Sequence, residues 1–397
     1  MPVLILALAL LALLGHAALW IGFVNRVHAT GAPRWLVKLY SLIGYGILVI
    51  APLIAGTPWL FSDQSLVNWL QSSYAGTMHY YVLICWLLAV VVVPLWIHRA
   101  WFAELPDIVF DRVTTIVDVA QSLGRKPLVG VPARLLSLVP GNQVLRISVD
   151  ELHCELYRLP PEVDSLSIVH LSDLHMTGRI GIDFFREAVR VVNSLQPDLI
   201  AITGDFIDDY ELLHWIPDAL GKLTAPLGVH FVLGNHDGFT HQAARLRKTL
   251  TSIGFNDLGS SWRSLDARGA NIILAGNELP WFSPAADMEY CPPRSSASPQ
   301  LRILLSHSPD QFRWARRWDF DLMLAGHTHG GQIRLPVVGP ILAPSWHGVE
   351  FASGTFYKSP TLMHVSRGLS GEAPIRLNCP PEITKIVLHS PTKTSTI

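Results

Sequence analysis

Cysteine is scarce in this sequence. The four present, Cys85, Cys154, Cys291 and Cys379, lie far apart and form no CxxC pair. That spacing excludes a disulfide framework and a zinc knuckle, and it fits a reducing compartment. Excess charge of either sign is also missing. The net charge of -1 offers no basic field, so no nucleic-acid-binding surface is expected. There is no GxxxxGK(S/T) run to cradle nucleotide phosphates, and no GxSxG elbow to present a nucleophilic serine. The most telling absence is local. Residues 1–25, 39–62 and 64–98 contain no Asp, Glu, Lys or Arg.

Each of those stretches can hold the roughly 20 apolar residues that cross a bilayer. Their cores read as 3–24, 39–60 and 78–97, with Trp20, Trp35, Trp59, Trp96 and Trp101 near the ends, where aromatic belts form. The first stretch lacks a positive leading region and is longer than the apolar part of a signal peptide. None carries the intramembrane charges that ion pathways use, so an anchor is a simpler role than a transporter. The first loop holds Arg26, Arg34 and Lys38; the second holds Asp63 and no Lys or Arg; Arg99 follows the third span. The positive-inside rule then puts the N-terminus outside, and everything after residue 98 in the cytoplasm, on a multi-pass membrane protein.

The chain divides into a transmembrane region of about three helices (1–98), a juxtamembrane connector with short strands (99–163), a catalytic domain (164–390) and a tail (391–397). In the connector, 101–123 reads as a helix and 144–159 as two short strands. From 164 onward, apolar strands (166–171, 199–203, 229–233) alternate with helical spacing (182–195, 210–223, 240–253). Further strands are expected at 271–275, 301–305, 321–325, 361–365 and 383–388. Such alternation specifies an α/β sheet. The Pro/Ser-rich stretch 280–299 cannot continue a helix or a central strand, and reads as a loop near the active face.

Five of the strands end in one kind of residue. IVHLSDLH ends in Asp173 and His175. LIAITGDFIDD ends in Asp205, with Asp208 and Asp209 beyond. HFVLGNHD ends in Asn235, His236 and Asp237. ILLSHSPD ends in His307, and DLMLAGHTHGG in His327 and His329. Open α/β sheets bind ligands at the carboxyl ends of their strands, so five strands deliver Asp, His or Asn to one edge. Carboxylate oxygen and imidazole nitrogen suit divalent zinc, manganese or iron, and a shared carboxylate can bridge two such ions. Any one of these motifs alone would more often be a polar strand end or turn. The ordered set points to a metal site.

The set resembles the calcineurin-like metallophosphoesterase family. The family pattern is D-x-H, G-D-x-x-D, G-N-H-D/E, a later histidine and G-H-x-H. It stands here as SDLH (172–175), GDFID (204–208), GNHD (234–237), SHSPD (306–310) and GHTHGGQ (326–332). The tail VSRGLSGEAPIRLNCPPEI (365–383) is similar to the branch of membrane-associated bacterial phosphoesterases. That branch often begins with a twin-arginine export signal, and none is visible here. The resemblance implies a four-layer α/β/β/α sandwich behind the membrane helices. It implies two divalent ions (Mn, Zn or Fe), one on Asp173, His175, Asp205 and His329. The other would sit on Asp205, Asn235, His307 and His327, with Asp205 bridging and a hydroxide held between the ions as nucleophile. His236 would protonate the leaving oxygen or stabilise the transition state, oriented by Asp208; the adjacent Asp209 leaves that assignment open by one position. The expected activity is hydrolysis of a phosphate ester, a phosphodiester being favoured. A lipid-linked pyrophosphate or phospholipid at the membrane surface is the alternative substrate, and a non-catalytic metal-binding membrane protein the alternative class. No ligand of the set is missing.

Overall fold

The computed structural model describes residues 2–61, 75–102, 105–239, 242–294 and 299–391. Asp63, on which the loop-charge argument partly rests, lies outside them, as do Thr240, residues 295–298 of the Pro/Ser-rich loop and 392–397 of the tail.

Three long helices come first: α1 (Pro2–His28), α2 (Arg34–Phe61) and α3 (Ala75–Phe102). All three are long and apolar enough to cross a membrane. Their apolar side chains stay largely exposed, which suits hydrocarbon rather than water as the surrounding medium.

The helix expected over 101–123 is not formed. α3 stops at Phe102, and β1 takes Val109–Asp118 before a short helix at Val119–Leu123. The reason lies in VFDRVTTIVD, whose β-branched Val, Thr and Ile favour a pleated backbone. The two short strands expected at 144–159 are one ten-residue strand, β2 (Arg146–Glu155), paired on both sides. Between them lies a short helix, α4 (Val131–Leu136).

The strands continue as β3 (Leu166–Leu171), β4 (Leu199–Thr203), β5 (Val229–Val232) and β6 (Asn256–Asp257). Then follow β7 (Trp262–Ala267), β8 (Ala270–Asn277), β9 (Gln300–Ser306) and β10 (Leu322–Ala325). A two-residue hairpin, β11 (Arg334–Leu335) and β12 (Gly339–Pro340), precedes β13 (Gly354–Lys358), β14 (Thr361–Val365) and β15 (Glu382–His389). One sheet has the order β1-β2-β15-β3-β4-β5-β6 and the other β13-β14-β10-β9-β8-β7.

Period-two alternation decides which face each side chain takes. Leu166 and Ile168 on β3, Leu199 and Ala201 on β4, Ile303 on β9 and Leu324 on β10 meet between the sheets. Val169, Leu171, Ile200 and Ile202 face the other way, onto α5 (Ile182–Ser194) through Phe184, Phe185 and Val192. Across the sandwich, Met323 and Leu304 face outward onto α8 (Phe312–Arg317). Two further helices, α6 (Asn235–Phe239) and α7 (Ala243–Ser252), close the β5 side. The stretch 210–223 splits into a 3-10 turn at Tyr210–His214 and a helix at Trp215–Leu220. The result is the expected α/β/β/α sandwich. Strands buried on both faces explain the near-continuous apolar runs seen in the sequence.

Candidate metal centre

The parallel strands β3, β4 and β5 of one sheet and β9 and β10 of the other all end at one edge, where their carboxyl-terminal loops meet. The backbone there is unusual. Asp173, His175, Asp205, His327 and His329 all have positive φ, between 42° and 71°. Left-handed backbone at non-glycine residues costs about 1–3 kcal/mol each and concentrates at functional sites. Two glycines make the approach possible. A Cβ on Gly204 would lie 2.5 Å from the Gly234 nitrogen, and one on Gly326 would lie 1.8 Å from Ser172 Oγ.

The side chains form two sets that share one residue. Asp173, His175, Asp205 and His329 bring donor atoms within 4.8 Å of one another, as do Asp205, His307 and His327. Asp205 Oδ2 is the shared atom, 3.5 Å from His175 Nε2 and 3.2 Å from His307 Nε2. His329 Nε2 is 3.4 Å from Asp173 Oδ1. Asn235 Oδ1 is 3.1 Å from His307 Nε2, which places it with the second set.

Three histidines have their tautomer fixed from behind. His175 Nδ1 donates to Asp208 Oδ2 at 2.7 Å, His307 Nδ1 to the Thr203 carbonyl at 2.6 Å, and His329 Nδ1 to the Ser370 carbonyl at 3.2 Å. Each therefore turns Nε2 into the cluster, the arrangement typical of metal-ligating imidazoles. Among the described residues, His327 Nε2 is buried with no hydrogen-bond partner. An orphaned buried nitrogen beside a carboxylate-rich cluster is costly unless a cation is its partner, so the residues fit a pair of divalent ions.

The electrostatics agree. Burial works against a charged His175, but Asp208, Asp205 and Asp173 push it up to about 10. Burial opposes His307 likewise, and Asp205 and Asp173 push it up to about 9. These two protons occupy the place of positive charge the cluster needs. His327 and His329 are held well below the usual imidazole range, by burial first and then by neighbouring histidines. Burial pushes the Asp173 carboxyl up. Against burial, His307 and His236 hold Asp205 well below the usual carboxylate range.

His236 stands beside both sets. Its backbone N–H donates to Asp205 Oδ1 at 2.8 Å, and its Nδ1 hydrogen-bonds to Asp208 Oδ1. Asp208 thus lies between His175 and His236, and it is Asp208, not Asp209, that meets them. Asp209 instead caps the 3-10 turn, accepting from Glu211 N at 3.0 Å.

Three further residues, to which the sequence assigns no role, support the cluster. Asp237, fully buried, accepts the N–H groups of Asp205, Phe206 and Ile207 and that of Gly234, tying the β4 loop to the β5 loop. Burial and the Asp205 charge push its carboxyl up to about 7. Arg376, also fully buried, donates to the carbonyls of His329, Arg367 and Ser370. It braces the G-H-x-H loop from the tail. Trp281, in the Pro/Ser-rich loop, lies 5.4 Å from the His307 ring and 4.6 Å from the His327 ring. The signals were coarse: Asp237 stands in GNHD, Trp281 in the Pro/Ser-rich loop expected near the active face, and Arg376 in the tail that carries part of the resemblance.

The profile of the calcineurin-like phosphoesterase family matches residues 166–331, the stretch that carries the first four motifs and the G-H-x-H of the fifth. A "Transmembrane protein with metallophosphoesterase domain" from Bos taurus is 30% identical over 413 residues, spanning 96% of this chain and 87% of that protein. The "Phosphodiesterase YaeI" of Escherichia coli is 29% identical, spanning 56% of this chain and 81% of that protein. The "UDP-2,3-diacylglucosamine pyrophosphatase LpxG" of Chlamydia muridarum is 28% identical over 57% of this chain and 85% of its own. The chain belongs to the calcineurin-like phosphoesterase family. It is a metal-dependent phosphoester hydrolase associated with a membrane.

Proposed function

We propose that the protein hydrolyses a phosphodiester at a two-metal centre. Asp173, His175, Asp205 and His329 would hold one ion, and Asp205, Asn235, His307 and His327 the other. The observation that carries this reading is the position of Asp205 Oδ2, shared by the two sets, beside the unpartnered His327 Nε2. Two divalent ions there would neutralise phosphoryl oxygens and lower the pKa of an attacking water.

The chain's own residues supply the rest. Asp208 engages His236 Nδ1 and leaves Nε2 to deliver a proton to the departing oxygen. The same carboxylate fixes His175, so one residue orients both a ligand and the acid. Asp237 holds the two loops that carry Asp205 and Asn235, so the ligand positions are set before substrate arrives. The YaeI relative supports the diester preference. The charges of the first turn support a multi-pass arrangement with the catalytic domain in the cytoplasm.

The test is turnover of bis(4-nitrophenyl) phosphate and 4-nitrophenyl phosphate by the full chain. The protein is stripped of metal and then given manganese, zinc or iron. Restored activity that favours the diester is expected. Turnover that is unchanged by stripping contradicts the reading.

A further inference from the structure

The turn between α1 and α2 does not project away from the catalytic domain. It packs against the mouth of the metal centre. Arg34, the first residue of α2, lies 3.2 Å from Glu372 and places its guanidinium 5.0 Å from the centre of the Phe239 ring. Phe239 in turn lies 5.1 Å from the His236 ring, and Glu372 Oε1 is 3.7 Å from His236 Nδ1. Gly31 abuts the Pro280 carbonyl, next to Trp281. The other helix ends meet the same face. Asn25 bonds the backbone of Ile341 and Ala343, and Arg99 pairs with Glu350 at 3.6 Å.

The depth follows from these contacts. The His236 ring stands within roughly 10 Å of the guanidinium of Arg34, which α2 carries on its first residue, and the headgroup layer on each side of a bilayer is about 5–7 Å thick. A second observation points the same way. Around α4, Val131, Leu135 and Leu138 are 67%, 60% and 69% exposed, and Val337 in the turn of the β11–β12 hairpin is 72% exposed. These are large apolar side chains at the domain surface; Phe110 and Val113 on β1 are exposed as well. Backbone contacts link the α4 and hairpin segments to the end of α1. Asn142 pairs with Leu377, Leu377 with Ile333, and the hairpin leads to Ile341 on the end of α1. An exposed apolar rim that continues into helix ends fits a lipid surface.

We propose that the active site opens onto the bilayer surface, with the α1–α2 turn forming one wall of its mouth. Its substrate is then a phosphoester carried by a membrane amphiphile, with the scissile phosphate at headgroup depth and the hydrocarbon in the bilayer. This rests on the phosphoesterase reading above and adds the substrate class. Arg34 lies at the mouth, paired with Glu372, and Arg26 and Lys38 belong to the same turn region in sequence, a basic stretch that favours anionic headgroups. The hydrolysis itself balances simply. Water adds to phosphorus, the ester P–O bond breaks, and the leaving alkoxide takes a proton.

The test uses the full chain with manganese in vesicles of dioleoylphosphatidylcholine. Two esters share one leaving group: 4-nitrophenyl methyl phosphate and 4-nitrophenyl hexadecyl phosphate. The hexadecyl ester should show at least about tenfold higher kcat/KM, because each buried methylene favours the bilayer. The double variant Leu135→Asp, Leu138→Asp should lose most of that preference and keep methyl-ester turnover within about twofold, since neither residue touches the metal set. Separately, Leu138→Cys is labelled with an environment-sensitive fluorophore; the four native cysteines are buried and do not compete. Nitroxide-headgroup lipids should quench the label. Equal turnover of the two esters, or a label that reads water, overturns the proposal. Failure to cleave either ester with any metal would instead count against the phosphoesterase reading, and the quenching result would still decide which way the mouth faces.

Discussion

Two buried polar clusters lie side by side within the same sandwich, built from the same kinds of residue, and differ in how their charges are met. Between the sheets, His170 on β3 meets His364 on β14 at 2.9 Å, and His170 Nε2 meets Thr203 Oγ1 at 2.8 Å. Beside them, Arg367 pairs with Glu382 at 2.9 Å and with Asp150 at 2.6 Å. Although burial opposes it, Arg367 and His364 hold Glu382 well below the usual carboxylate range. Every carboxylate there has its cation in the chain. At the strand ends the carboxylates Asp173, Asp205 and Asp208 make ion pairs only with histidine among the described residues. The first cluster is closed on itself. The second is short of positive charge, strained in its backbone, and left with an orphaned imidazole nitrogen. That shortage separates a ligand site from a structural salt-bridge network, although composition alone does not distinguish them.

The comparison breaks most sharply at Asp205 and Arg367. Asp205→Asn should abolish phosphodiester turnover and lower bound metal, as measured by metal analysis of the purified variant, while the fold persists by circular dichroism. Arg367→Met should do the reverse. It removes the nearest cation from two buried carboxylates, at a cost of up to about 3–5 kcal/mol in denaturant unfolding, and leaves the number of bound ions unchanged.

Metal removal sharpens the same contrast. At a hundredfold excess over Kd, each ion should stabilise the chain by about 2.7 kcal/mol, seen as a loss on chelation. The pH dependence has a definite sign. His175 and His307 have raised values in the metal-free protein, about 10 and about 9 against an ordinary 6.5. Their contribution to metal-free stability is full below about pH 6.5 and is lost as pH rises through 9 to 10. Metal binding releases those protons, so apparent metal affinity should climb with pH. Calorimetry in two buffers of different ionisation enthalpy checks the proton release.

Smaller effects separate neighbours. Asp208→Asn should cost about 10–100-fold in activity or metal affinity, because it loosens both His175 and His236. Asp209→Ala removes only a turn cap. It should cost about 1 kcal/mol or less in stability and leave turnover within about twofold.

The sequence was most legible where local pattern and function coincide. An apolar strand followed by Asp, His or Asn with glycine can be recognised in one dimension, and the edge at which five such ends meet follows from strand direction. It was least legible where a residue's task depends on distant partners. Asp237 looks like a turn residue until the β4 loop is brought onto it. Arg376 lies 47 positions from the histidine whose carbonyl it holds. β1 escapes recognition because it lies at the sheet edge with most of its side chains exposed, so no strict apolar alternation marks it. Hydropathy located the membrane helices. It carried no sign that the turn between the first two borders the metal centre, because that contact joins Arg34 to Glu372 across most of the chain.

The central claim is that Asp205 joins two metal sites. X-ray absorption on the full chain loaded with manganese, with metal content measured on the same sample, tests it directly. Two ions per chain with a metal–metal separation of about 3.5–4 Å are expected. A folded protein that binds no metal, or a single ion with no metal neighbour at any loading, would contradict it.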